Sequence, residues 1–193
     1  MNTIKKFFEC TVPVSSCNLR CSYCYVMQEN RRDIKTDDFI LPPEEIGRAF
    51  AKTRTGGISL FNLCGFGETL IPEQMPEIIY YLLKEGHFVN VTNNGTMTER
   101  IKEMMGFPRE YLSRLCFSFS FHYLELIKRD KLQTFIENVK LTRSHGCSAV
   151  IQLNMADEYM ERIEEIKELC RLEFGAYPQI ALTRKESPGG IPS

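Results

Sequence analysis

Residues 7–24 read Phe7-Phe8-Glu9-Cys10-Thr11-Val12-Pro13-Val14-Ser15-Ser16-Cys17-Asn18-Leu19-Arg20-Cys21-Ser22-Tyr23-Cys24. The first eight, rich in aromatic and β-branched residues, predict a strand. The last eight form a C-x3-C-x2-C loop. Three thiolates this close can bind one metal centre without help from distant residues. A structural zinc site or an ordinary electron-transfer cluster takes four protein ligands. Three leave one metal position open, where a second ligand can bind. A zinc knuckle completed by a fourth ligand elsewhere is the competing reading of the same loop.

Working outward, the strand-then-polar-loop pattern recurs. Strands are expected at residues 7–14, 58–63, 87–92, 114–121, 147–154 and 178–184. Helices are expected at 42–53, 72–84, 98–105, 123–144 and 157–173, the last with Asp157 as its N-cap. Residues 25–41 read as mostly polar and irregular. After a longer first unit the strand starts repeat at about 30 residues, the size of a βα unit with its loops. The fold class is therefore α/β with a parallel sheet and right-handed crossovers, an open barrel or a doubly wound sheet. Six units fall short of the eight that close a barrel. The chain reads as one domain over 1–193. No helix follows the sixth strand, so the natural chain continues past Ser193 or another element covers the sheet's end.

In parallel α/β folds ligands bind beyond the C-terminal ends of the strands. Here those ends are polar. The first leads into the cysteines, and the second into Gly65-Phe66-Gly67-Glu68. Glycines there let the backbone approach a ligand. The exposed carbonyls and the Glu68 charge suit an ammonium group, although a plain βα turn with an acid near a helix start is an equal reading. The third ends in Thr92-Asn93-Asn94, and Asn93-Asn94-Gly95 reads as a turn with left-handed residues or as a ligand site. In the fourth, Phe117, Phe119 and Phe121 alternate with Cys116, Ser118, Ser120 and His122. The phenylalanines belong under helices, so the serines face the interior, as ligand contacts or as small packing groups. His122 reads as a ligand contact or as a structural histidine. The fifth puts Gln152 and Asn154 on one face. The sixth ends in Thr183, Arg184 and Lys185, a solvated strand end or a contact for a substrate anion.

Composition excludes several classes. The 193 residues carry a net charge of -1, with 43% hydrophobic and 25% charged residues. Such a balance gives no field for nucleic acid or an anionic membrane. No segment has the roughly 18 consecutive apolar residues of a membrane span, and no signal-peptide core is seen. A cytoplasmic location follows as the expectation. Cys10, Cys64, Cys116, Cys147 and Cys170 sit singly in or beside apolar stretches and read as buried thiols, neither a disulfide framework nor a second cluster site.

The cysteine motif with an aromatic before its third cysteine, the glycine-acid turn after the second strand, and the βα series resemble the radical S-adenosylmethionine (SAM) superfamily. The resemblance implies a partial (β/α)6 TIM-like barrel without the last helix. It implies that Cys17, Cys21 and Cys24 hold a [4Fe-4S] cluster, whose fourth iron is chelated by SAM's amine and carboxylate. Reduction then cleaves SAM to methionine and a 5'-deoxyadenosyl radical that abstracts hydrogen from a substrate, unknown here. Tyr23 would lie near cluster and adenine. Gly65, Phe66, Gly67 and Glu68 would form the turn that receives the SAM amine, mainly through backbone carbonyls. Ser118, Ser120 and Asn154 would meet SAM's ribose and carboxylate, and Asn94-Gly95-Thr96 resembles the family's turn after strand 3. The implied partner is a flavodoxin- or ferredoxin-like reductant. Phe66 and Thr69 depart from the family's usual Gly-Gly-Glu-Pro. The alternative function is an iron-sulfur or SAM-binding interaction or electron-transfer protein without radical turnover.

Overall fold

The computed structural model describes residues 3–28 and 38–183. Six strands form one sheet in the order of the chain: β1 (Lys6–Val12), β2 (Ser59–Gly65), β3 (Phe88–Asn93), β4 (Leu115–Ser120), β5 (Ser148–Met155) and β6 (Gln179–Leu182). Every neighbouring pair is parallel. Consecutive parallel strands need a crossover, and helices supply it. The sheet curls into a half-barrel with the helices outside, which is the partial TIM-like architecture expected.

The two faces of each strand differ as the alternation requires. On the helix side, Phe61, Val89, Val91, Phe117 and Phe119 are fully buried. Burying one such side chain stabilises by about 1.5–3 kcal/mol, so this face fixes the register of the whole sheet. Residues between them, such as Asn62, Asn90, Cys116 and Ser118, face the concave side and are half-buried.

The helices are α1 (Tyr25–Gln28), α2 (Pro43–Ala49), α3 (Lys52–Thr55), α4 (Met75–Lys84), α5 (Thr98–Met105), α6 (Arg109–Leu112), α7 (Tyr123–Lys128), α8 (Leu132–Ser144) and α9 (Ile163–Phe174). The helix expected over 123–144 is two helices. Asp130 adopts φ 52° between them, and a non-glycine residue in that region ends a right-handed helix. Asp157 caps no helix. It opens a 3-10 turn, Asp157–Arg162, which sinks the Tyr159 ring into the core before α9 begins. The helix expected over 42–53 likewise breaks after Ala49. Arg184 and Lys185, the tail from 187, and residues 29–37 of the segment read as irregular lie outside the described residues.

Candidate functional site

A cavity of about 550 Å³ opens at the C-terminal ends of the strands. The cysteine loop makes one wall. It is held by side chains from four later elements. The Arg20 amide donates to Glu125 of α7 at 2.9 Å, and Glu125 also pairs with Arg129. Burial would raise the Glu125 carboxyl, but the hydrogen bonds from Arg129 and the Arg20 amide outweigh it and hold the group low. Ser22 donates to Glu158 in the 3-10 turn at 2.9 Å. The Tyr23 hydroxyl shares hydrogen bonds with His122 at the end of β4 (2.6 Å) and with Tyr159 (3.0 Å). Desolvation pushes the Tyr23 phenol well above its ordinary value and His122 down to about 4, so His122 is neutral at pH 7. After β3, Asn94 donates to Asn18 at 2.7 Å, and Asn18 donates to Thr96 at 2.7 Å.

These anchors place Cys17, Cys21 and Cys24 on the cavity. Among the described residues no three His, Cys, Asp or Glu side chains are placed to hold a single metal ion. Two N–H groups point at the Cys17 sulfur, from Leu19 (3.4 Å) and Asn94 (3.8 Å). Donors of this kind favour a thiolate. Burial pushes the Cys21 thiol up to about 12. A cation alongside it would favour loss of that proton.

The adjoining wall is the turn after β2. Gly65, Phe66, Gly67 and Glu68 all line the cavity, with Phe66 52% exposed. The Gly67 amide donates to Val14 and the Glu68 amide to Ser16, extending the β1–β2 pairing up to the cysteine loop. A Cβ on Gly67 would stand 1.9 Å from the Ser16 carbonyl oxygen. Glycine is required by this close approach. Thr69 replaces the usual proline with a hydroxyl that accepts from the Gly65 amide at 3.0 Å, closing the turn by a side chain.

Glu68 does not simply offer its charge to the cavity. Its side chain is 2% exposed, and its two oxygens accept from the Leu70 amide (3.0 Å) and the Asn94 amide (2.7 Å). Burial, partly offset by those bonds, raises the carboxyl to about 7. The residue staples the β2 turn to the β3 turn. Asn94 thereby belongs to both walls, while Gly95 (φ 72°) turns the chain beneath it.

Of the inward residues anticipated on β4 and β5, Ser120 and Asn154 line the cavity, as does Tyr23. Ser118 does not. It lies one inward position lower and donates to Asn90 at 3.0 Å. Cys64, read as a buried thiol, also lines the cavity, as do Thr92, His122 and Gln152. Tyr159 and Glu125 escaped the reading because each looks like an ordinary helix residue; only the fold brings them beneath the cysteines.

The radical SAM superfamily model matches residues 11–170. The chain belongs to the radical SAM superfamily. Solved structures carry the same fold. The radical SAM core here resembles native anSMEcpe with bound AdoMet at 12% identity and TM-score 0.66, over 96% of this chain and 54% of that one. It resembles SuiB from Streptococcus suis at 14% identity and TM-score 0.67, over 99% and 42%. SuiB bound to the precursor peptide SuiA matches at 13% identity and TM-score 0.63, over 94% and 39%. The chain thus spans about half or less of these relatives. No curated protein matches it.

Proposed function

We propose that this chain is a radical SAM enzyme core that uses an iron-sulfur cluster to cleave SAM reductively. The observation that carries the reading is the meeting of two walls on one cavity: three thiols of one loop, and the glycine-acid turn of the next strand. The donor set fits the cluster. Three cysteines face the space, none pairs in a disulfide, and two N–H groups serve one sulfur. Cys17, Cys21 and Cys24 would hold it. When bound, a [4Fe-4S] cluster supplies the electron that converts SAM to methionine and a 5'-deoxyadenosyl radical.

The protein's own part is positioning. The carbonyls of the Gly65–Gly67 stretch can accept hydrogen bonds from an ammonium group, and in this reading they meet the SAM amine. Ser120 and Asn154 supply hydroxyl and amide groups for ribose and carboxylate, and Tyr23 sets the near wall. Ser118 is too deep for that contact and is left out of the SAM site. The neutral His122 and Tyr159 fix the Tyr23 ring, so the loop is shaped before any ligand arrives.

The test is anaerobic reconstitution with iron and sulfide, reduction with dithionite, and chromatographic assay of 5'-deoxyadenosine. Formation of the nucleoside by the wild type, and its loss together with about four irons per chain in Cys21→Ala, is the expected outcome. A fully loaded cluster that binds SAM and yields no nucleoside, with or without candidate substrates, assigns the chain to binding or electron transfer instead.

A further inference from the structure

Below the cavity rim the concave face of the half-barrel carries a directed row of hydrogen bonds. Ser118 donates to the Asn90 carbonyl oxygen at 3.0 Å, the Asn90 amide donates to Asn62 at 2.5 Å, and the Asn62 amide donates to Glu9 at 2.7 Å. The row crosses four strands and ends on a carboxylate. It lies one inward step below Cys64, Thr92 and Ser120, which line the cavity. Two residues along a strand amount to about 6.6 Å, so Asn62, Asn90 and Ser118 stand one side chain below the proposed SAM site, and Glu9 lies beside Asn62 at the same level on the edge strand.

Three features make Glu9 more than filling. First, it is exposed although it faces the barrel's inner side, because β1 is an edge of the sheet. Second, the donors of Asn62, Asn90 and Ser118 all run toward it. They orient the carboxylate while leaving oxygen lone pairs for a further donor. Third, Phe7, on the same face two residues earlier, is 60% exposed, and Leu60 lies opposite it. An aromatic face beside a carboxylate suits a cation carried on an apolar stem.

We propose that Glu9 is a specificity-determining residue of the substrate site, and that the substrate presents an ammonium or guanidinium group on an alkyl stem to this wall. The assignment rests on the radical SAM reading, since that reading makes the neighbouring cavity the place of reaction.

The experiment compares two probes on the reconstituted, SAM-loaded protein by calorimetry: Nα-acetyl-lysine methylamide and its neutral isostere, the capped amide of 2-aminoheptanoic acid. A charge-assisted hydrogen bond predicts at least about a tenfold tighter Kd for the lysine probe. Glu9→Gln abolishes that preference. Glu9→Lys transfers it to the anionic probe, capped 2-aminoadipate, a gain that an unfolded variant does not show. Equal binding of the two probes by the wild type, binding of neither, or a lysine preference that survives in Glu9→Gln overturns the proposal. Wild-type 5'-deoxyadenosine formation is measured on the same samples. A charge preference without nucleoside keeps the wall and removes the radical reading; nucleoside without a preference does the reverse.

Discussion

The two sides of the cavity are built differently. On the side of the cysteine loop and the β2 and β3 turns, polar groups are spent on one another. Glu68 clasps two backbone amides, Asn94 reaches Asn18 and the Cys17 sulfur, and Glu125 holds the Arg20 amide. On the side of β5 and β6 the wall is looser. Strand β6 has four residues, Leu182 is 85% exposed and Ile180 47%. A braced wall is shaped in advance and suits a cofactor whose geometry does not vary. An exposed wall has less holding its shape and opens more easily.

The sharpest way to break this contrast is Gly67→Ala. The added methyl collides with the Ser16 carbonyl, which is backbone and cannot step aside. The expected cost is about 3 kcal/mol in urea denaturation, with loss of measurable SAM binding. Wild-type stability in this variant would mean that the braced wall is soft.

Glu68→Gln tests the staple itself. The wild-type carboxyl sits at about 7, above its ordinary 4.5. Its contribution to stability is complete below pH 4.5 and lost as the pH rises through 7, a swing on the order of 3 kcal/mol. His122 acts in the opposite sense. Its value falls to about 4 from 6.5, so its contribution is complete above pH 6.5 and lost as the pH falls through 4. The two offset each other between pH 4.5 and 6.5. In Glu68→Gln only the histidine remains, and denaturation midpoints should climb across that window where the wild type is nearly flat. Parallel profiles would remove Glu68 as a titrating group.

Tyr159→Phe is the milder probe of the brace. It deletes one hydrogen bond to Tyr23 in a buried site, worth about 1 kcal/mol and a melting temperature lower by about 2–4 °C. The smallest effect separates neighbouring serines. Ser120→Ala should weaken SAM about fivefold, whereas Ser118→Ala, whose hydroxyl is spent on Asn90, should leave SAM binding unchanged. Equal weakening by both would return Ser118 to the SAM site.

Much of this was legible from spacing. The alternation in Leu115–Ser120 placed the phenylalanines under the helices, and they are buried there. His87, the first residue of the strand expected over 87–92 and with no motif around it, is structural: buried, it accepts from the Ser59 amide at 3.1 Å. Asp130 defeated the helix expected over 123–144, because one left-handed residue in a polar run leaves no periodic trace. Ser118 and Ser120 share a face, and alternation cannot tell the depth of one from the other.

The sequence by itself determined the thiol loop, the glycine-acid turn and the strand-helix period, because these depend on neighbours in the chain. The tertiary structure alone decided what braces the loop. Arg20 meets Glu125, Ser22 meets Glu158 and Tyr23 meets Tyr159 across more than a hundred residues. It also decided that Glu68 faces two amides and that Glu9 ends a row of donors on the concave wall. Partners of that kind are set by sheet register and curl, and no local pattern carries them.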